Sequence, residues 1–455
     1  MPPMLRLWAL CGALGGCASP TPARLNVVLI SVDTLRADRV GRVGRDGRSL
    51  TPSLDALAAR SVVWTQAHSP SNETLFSHAG IFLGALPSTV GPLDYTTFRL
   101  PVDAPTLAAR MSRAGWRTEA VVAGGHMDPM LGMGAGFQHY QSTDDAFASF
   151  QATVPVALDR LEALATAPDD RPFFLFVHGY DCHSPYVKPG PLHHPETPGY
   201  DGVLKRLAQN PLSWERLRDG VYYPTFRPPD RQAAGLHVLD PRVFDALAQW
   251  ADLEDVERVK LDKADEDFII GAYDGAVAYA DTHVGRLLRR IEALGLDNNT
   301  VVVVFSDHGE DLLTHGVMNH RVSLHDDNVH AVMMVAAPGV APDTRDELVS
   351  LLDLSGLVLG LSGAEDGLKM DALARDVVPS ESLLGEVSVR TPDGRIRAPR
   401  AAVGPVRPSE AGPGMELLDT DGHPLPWSDA RGDALWAALR TAGLGARSPS
   451  EEAAP

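Results

Sequence analysis

Residues Val301 to Glu310 read VVVVFSDHGE. An unbroken β-branched run with no polar alternation predicts a strand buried on both faces. Asp307 and His308 follow at its carboxyl end, the edge where open α/β sheets gather their ligands. An adjacent carboxylate and imidazole there suit a divalent cation; the same pair could equally be a turn cap beside an ordinary loop histidine. Comparable chemistry ends other segments. Leu25 to Asp33, LNVVLISVD, is a second buried-strand pattern that finishes in an acid. Ser71 to Gly84, SNETLFSHAGIFLG, runs from polar residues into a helix through Leu83, with Thr74 at or near the first turn. A hydroxyl at that place either caps the helix or is a nucleophile aimed at an oxyanion drawn to the free N–H groups. Pro172 to His178, PFFLFVH, is another buried strand, and GYDCHSPY leaves it carrying Cys182 and His183. A Cys182–His183 thiol–imidazole pair lacks a third orienting group. His320 lies on a loop beyond the central motif, and His193-His194 reads as solvated loop.

These groups need a sheet and its helices to hold them. Thr51-Pro52 starts a helix by the N-cap and N1 rules. Thr106 to Ala114 and Val154 to Ala167 read as helices, and Thr118 to Ala123 as a strand. Asp265 to Leu294 carries Ile269, Tyr273, Val277, Ala280, Val284, Leu287 and Ile291 at steps of three or four, the period of a buried helical stripe. Val329 to Ala337 is a strand and Glu347 to Leu361 a helix. This alternation across about 25–365 predicts a mainly parallel sheet with helices on both faces. Residues 187–262, rich in Pro, His and charge, read as an insertion over the active edge. Residues 366–455 form a small C-terminal α+β subdomain with strands at Glu386 to Arg390 and Met415 to Leu418, a helix over Ala430 to Ala442, and a polar tail. Asp326 and Asp327 are expected to be exposed, and His315 and His325 to lie behind the site or at the surface.

The chain has 455 residues, 44% of them hydrophobic, and a formal charge of −19. Such a balance lacks the basic patch of a general nucleic-acid binder, yet it is compatible with an anionic substrate, because one metal ion inverts the local field. Residues 1–16 have the character of a signal peptide: Arg6, the apolar stretch Leu7 to Leu14, then small residues. The apolar stretch is too short to span a bilayer as a helix. Leu14-Gly15-Gly16-Cys17 resembles a bacterial lipobox, which implies a lipid anchor on Cys17, a tether at 17–24 and a place in the cell envelope, facing the periplasm or the cell surface. Loss of Arg6 with the leader takes the charge from −19 to about −20. Only Cys11, Cys17 and Cys182 are present, so the mature fold has no internal disulfide framework.

Four ordered stretches resemble the sulfatase family of the alkaline phosphatase superfamily. NVVLISVDTLRAD is similar to that family's opening strand and first metal acid. ETLFSHAGIFLGALPSTVG is similar to its nucleophile segment, and FFLFVHGYDCHSPY to its FVHxxDPHxPY segment. YDGAVAYADTHVGRLLRRIEALGLDNNTVVVVFSDHGEDLLTHG is similar to its long helix and second metal motif. The resemblance covers most of 25–365 and implies an alkaline-phosphatase-like α/β sandwich that hydrolyses sulfuric or phosphoric esters. By that resemblance Asp33, Asp307 and His308 are ligands of one divalent ion (Ca²⁺, Mg²⁺, Mn²⁺ or Zn²⁺), and Thr74 is both nucleophile and fourth ligand. His78 takes the place of an arginine near the nucleophile. His78, His183 and His320 then hold the anion's oxygens, and one of them protonates the leaving group.

The departures carry information. Thr34 stands where most sulfatases have a second Asp, Phe76 and Cys182 stand at usual prolines, and Glu73 adds negative charge where an anion enters. Threonine does not fit the conversion of Cys or Ser to formylglycine. A threonine nucleophile has no aldehyde exit, so water or an acceptor must attack the central atom a second time. That favours phosphoryl chemistry and resembles the phosphoethanolamine transferase and phosphodiesterase branches of the superfamily. A transferase, or a non-catalytic binding lipoprotein, are the other readings of the same residues.

Overall fold

The computed structural model describes residues 24–44, 47–184, 186, 199–200, 263–315, 319–321 and 323–444. The lipobox, the tether up to Ala23, and nearly all of the insertion at 187–262 lie outside these residues. In chain order the elements are β1 (Asn26–Val32), α1 (Pro52–Ala58), β2 (Val62–His68), α2 (Thr74–Leu83), α3 (Leu107–Arg113), β3 (Arg117–Val122), β4 (His139–Ser142), α4 (Phe150–Thr166), β5 (Phe173–Gly179) and α5 (Lys263–Ala293). They continue with β6 (Thr300–Phe305), the short α6 (Asp326–Val329), β7 (His330–Ala331), β8 (Met333–Ala336), β9 (Asp343–Ser350) and α7 (Leu354–Ser362). The last are β10 (Val378–Glu381), β11 (Glu386–Thr391), β12 (Gly394–Pro399), β13 (Glu416–Leu418) and α8 (Arg431–Thr441).

Among the described residues a nine-stranded sheet runs β4-β3-β5-β1-β6-β8-β2-β7, with β9 also paired to β2. Strands β4, β3, β5, β1 and β6 are parallel. Each central strand is covered twice, which is why its sequence is apolar without alternation. Val28, Ile30, Val32, Val302 and Val304 face a core built with α1, α4 and α5. Val27, Leu29, Val301, Val303 and Phe305 face the opposite core, built with α2, α3 and α7. The result is an α/β sandwich with a mainly parallel sheet, and β10–β13 with α8 form a small antiparallel subdomain.

Remote groups finish elements whose local sequence only starts them. Pro52 opens α1 as expected, yet Thr51 gives it no side-chain cap. The Ser53 and Leu54 amides instead donate to Asp281 on α5, at 3.0 and 2.8 Å. Two expectations need correction. Glu347 to Leu361 is not one helix: residues up to Ser350 form β9, paired in parallel with β2, and α7 begins only at Leu354. Ladder bonds to β2 override the helical spacing of its leucines, a tertiary choice. The strand expected over Val329 to Ala337 is broken into β7 and β8, both antiparallel to β2.

The C-terminal sheet buttresses two loops of the main domain. Glu381 N donates to Pro70 O at 2.9 Å and Ser380 Oγ to Ser69 O at 2.6 Å, just ahead of α2. Leu324 N donates to Glu386 at 2.5 Å, and Arg397 reaches His325 Nε2 at 3.0 Å. Arg390 and Arg395, directly opposite each other on β11 and β12, both clasp Asp326. Asp326 is therefore an anchor between the two sheets rather than a freely solvated acid, and Asp327 pairs with Arg36 at 3.0 Å. Two facing arginines without their carboxylate would repel, and removing one partner of a buried ion network costs about 3 kcal/mol. Asp326→Asn is expected to lower unfolding free energy by about that amount in urea titrations, whereas an exposed control, Asp371→Asn, changes it little.

Candidate active site

Parallel pairing of β1 with β5 on one side and β6 on the other brings three strand ends together. Asp33 follows β1, His178 and Gly179 end β5, and Asp307 and His308 follow β6. Helix α2 points its first turn at this edge. Asp33, Thr74, His78, Asp307 and His308 are all fully or almost fully buried.

Thr74 is the first helical residue. Its hydroxyl is not a helix cap: Oγ1 donates to Asp33 Oδ2 at 2.9 Å and lies 3.4 Å from His308 Nε2. One Asp307 oxygen accepts the Thr34 amide at 3.2 Å, and the other lies 3.3 Å from His308 Nε2. His308 Nδ1 is 2.9 Å from Gly309 O, an arrangement in which Nδ1 donates and Nε2 is directed toward Asp307 and Thr74. Gly309 is required here, since a Cβ would stand 2.0 Å from Asp327 O. Thr34 has φ 55°, a left-handed backbone rare for a β-branched residue. Tyr273 of α5 holds that turn, donating its hydroxyl to Thr34 O at 2.6 Å and accepting the Arg36 amide at 2.9 Å.

The donor set fits a divalent cation. Ligand atoms of Asp33, Asp307 and His308 all lie within 4.8 Å of one another, and Asp33 Oδ1 and Asp307 Oδ2 are buried without a hydrogen-bond partner. Buried like charges want a countercharge. Burial pushes the Asp33 carboxyl from its ordinary 3.8 up to about 6. Burial, with Asp33 beside it, also raises Asp307. Burial works against charge on His308, but the neighbouring Asp307 and Asp33 raise it on balance. A second cluster, Asp311, His315 and Asp327, is already occupied by protein charges: His315 Nδ1 is 2.6 Å from Asp311 Oδ2, and Arg36 pairs with Asp327.

The expected histidines divide. Both ring nitrogens of His78 bond within the protein, and Nδ1 also lies 3.4 Å from Asp307 Oδ2. Its Nδ1 is 2.9 Å from Thr74 O and its Nε2 2.9 Å from Ser31 Oγ. It packs among Phe82, Phe176, His178 and Phe305, and burial lowers its pKa to about 4. It is a neutral strut between β1 and α2. His320 is brought to the site, its ring centroid 4.4 Å from that of His308. Its Nδ1 is 3.4 Å from Glu310 Oε1 and its Nε2 4.0 Å from Glu73 Oε2. His183 packs against His320 at 5.3 Å and holds Ser184 O at 2.7 Å through Nδ1. Asp181 of the same segment caps α4 through the Phe150 amide at 2.7 Å. His315 and His325 stack on each other at 3.5 Å, behind the site.

Sequence reading missed His178, Glu310, Tyr95 and Arg321. His178 Nε2 lies 3.5 Å from Asp33 Oδ2, and its register opposite Ser31 follows from pairing that no local pattern shows. Arg321 Nε is 3.4 Å from Glu73 Oε1, and Tyr95 donates its hydroxyl to Glu73.

The raised Asp33 pKa has a defined sign. A folded pKa above the unfolded one contributes stability at low pH that is lost as pH rises through the folded value. Metal-free protein is therefore expected to lose melting temperature between about pH 4 and about pH 6 from this group. Stabilisation by added Mn²⁺ or Ca²⁺ should grow over the same interval as protons stop competing. Scanning fluorimetry across pH with and without the cation checks this; a cation effect equal at both ends of the window would refute it.

The sulfatase family model matches residues 25–364. A curated relative, the Delta 4,5-hexuronate-2-O-sulfatase of Bacteroides thetaiotaomicron, is 23% identical over 428 residues, covering 86% of this chain and 81% of its own. A solved structure in complex with its substrate D-glucosamine-2-N,6-O-disulfate is 16% identical, with TM-score 0.64 over 95% of this chain and 100% of that one. The phosphonate monoester hydrolase from Silicibacter pomeroyi superposes with TM-score 0.60 at 17% identity, covering 92% and 94% of the two chains. With three quarters of its length matched by one family and the alkaline-phosphatase-type sheet carrying its buried acids, this chain belongs to the sulfatase family as a sulfatase-like ester hydrolase.

Proposed function

We propose that this protein is a metal-dependent hydrolase of sulfuric or phosphoric esters that uses Thr74 as its nucleophile. The observation that carries the reading is the placement of Thr74 Oγ1, 2.9 Å from Asp33 Oδ2 and 3.4 Å from His308 Nε2, at the start of a helix and beside two orphaned carboxylate oxygens. Asp33, Asp307, His308 and Thr74 would hold one divalent cation. Such an ion lowers the pKa of a nearby hydroxyl and shields the charge of an anionic ester.

The chain's own residues supply the rest. Asp33 Oδ2 orients the Thr74 hydroxyl, and His78 fixes the first turn of α2 by holding the Thr74 carbonyl. Thr74 Oγ passes its proton to Asp33 Oδ2, to which it is already hydrogen-bonded, and forms a bond to phosphorus or sulfur as the ester's bridging bond breaks. His320 or His183 delivers a proton to the departing alkoxide. Water then attacks the same central atom, a proton returns to Thr74 Oγ, and the product leaves as a phosphate monoester from a diester, or as phosphate or sulfate from a monoester. Two attacks at the central atom favour phosphoryl over sulfuryl transfer, and diesters are the first substrates to try. The leader-like segment 1–16 and Cys17 support a lipid-anchored, periplasm-facing or cell-surface placement in a bacterial envelope.

The test compares an aryl sulfate, an aryl phosphate and a diaryl phosphate with the chain from Ala18 onward, loaded with Ca²⁺ or Mn²⁺. Thr74→Ala, assayed at a cation concentration that saturates the remaining Asp33, Asp307 and His308 ligands, is expected to cut turnover by at least about 10³-fold, as loss of a covalent nucleophile does. Mass spectrometry of rapidly quenched wild type should find the phospho- or sulfo-group on the Thr74 peptide. Undiminished turnover in Thr74→Ala would sink the assignment.

A further inference from the structure

Glu73 is a buried charge that the reaction above does not use. It precedes Thr74, has 0% exposure, and as N-cap residue of α2 makes no side-chain cap bond, so helix capping does not account for it. A packed wall fixes its carboxylate. Tyr95 donates its hydroxyl to one oxygen, Arg321 Nε lies 3.4 Å from the other, and His320 Nε2 is 4.0 Å away. Tyr95 in turn stacks on Phe76 at 5.2 Å and His126 at 4.4 Å, with the Arg321 guanidinium 5.4 Å from its ring centre. The positive charge of Arg321 is thus balanced by Glu73 instead of standing ready for a second negative charge on a substrate.

The electrostatic cost that a fixed carboxylate imposes on a bound anion scales with the anion's charge. A sulfate monoester or a phosphate diester brings one negative charge. A phosphate monoester brings close to two at neutral and alkaline pH. Buried surroundings weaken the screening that would otherwise blur this difference. We propose that Glu73 is a specificity residue that selects singly charged esters, phosphate diesters and sulfate monoesters, against doubly charged phosphate monoesters. The inference rests on the reading that the ester's anion sits beside Thr74.

The experiment measures anion binding as well as turnover. Full-length protein loaded with Mn²⁺ is titrated calorimetrically with inorganic phosphate and with methyl sulfate at about pH 8, where phosphate is mainly a dianion. The comparison is made in the Thr74→Ala background with and without Glu73→Gln. Glu73→Gln is expected to raise the phosphate-to-methyl-sulfate affinity ratio by at least about tenfold, and to raise the monoester-to-diester ratio of kcat/KM in the same direction in the Thr74 enzyme. If Glu73→Gln does not fold, Arg321→Gln serves, since it leaves Glu73 unbalanced and should lower the ratio by a similar factor. An unmoved ratio, a shift the other way, or no binding of either anion overturns the proposal. Persistent turnover in Thr74→Ala would instead count against the nucleophile assignment, so the two readings fail separately.

Discussion

Two carboxylates buried side by side are the constraint on which the rest of this structure turns. Asp33 and Asp307 follow adjacent parallel strands whose register pairs Ser31 with Phe305, and both are fully buried. Neither position is tolerable alone: burial disfavours each charge, and proximity disfavours both together. The surrounding groups answer that problem. The Thr34 amide and the Thr74 hydroxyl donate to them, while His178 and His308 stand within 3.5 Å. What remains is two oxygens with no hydrogen-bond partner, and a cation resolves that most simply.

Holding this arrangement needs support from distant parts of the chain. Tyr273 on α5 pins the turn in which Thr34 takes its left-handed backbone, a strained conformation that persists only where neighbours over-determine it. His78 ties β1 to α2 by bonding Ser31 with one nitrogen and the Thr74 carbonyl with the other. The C-terminal sheet grips the loop before α2 and the loop after His320. The small subdomain thereby belongs to the site's support, although it contributes none of the candidate metal ligands.

Charge balance links support to chemistry. Carboxylates flank the site at Glu73 and Glu310, and His320 lies between them. Arg321 offsets one of these acids. Among the described residues Arg321 is committed to Glu73, which is the physical ground for proposing that the site discriminates by substrate charge. Phe76 and Cys182, at positions where the family resemblance leads one to expect proline, are core residues here, Phe76 stacked on Tyr95 and meeting Phe98 edge-on, and Cys182 fully buried.

Much of the fold was legible in the amino-acid order alone. The runs at Leu25–Asp33, Pro172–His178 and Val301–Phe305 read as strands covered on both faces, and the stripe from Ile269 to Ile291 as a buried helix, because unbroken apolar runs and helical spacing are local properties of the chain. The strand runs placed Asp33, Asp307 and His308 at strand ends, and the separate stretch Ser71 to Gly84 placed Thr74 at a helix start. Tertiary pairing decided the rest. The leucine spacing after Glu347 reads as helix, yet ladder bonds to β2 make its first part a strand. His78 reads as a substrate contact, yet Ser31 and the Thr74 carbonyl claim both its nitrogens. Glu73 acquires Tyr95 and Arg321, 22 and 248 positions away in the chain, and Asp326 on α6 acquires two arginines from the C-terminal sheet. Periodicity reports which face a residue buries, and composition reports what chemistry it can do. Which partner meets it there is set by long-range register and by the free energy of pairing buried charges, and those exist only once the chain has folded.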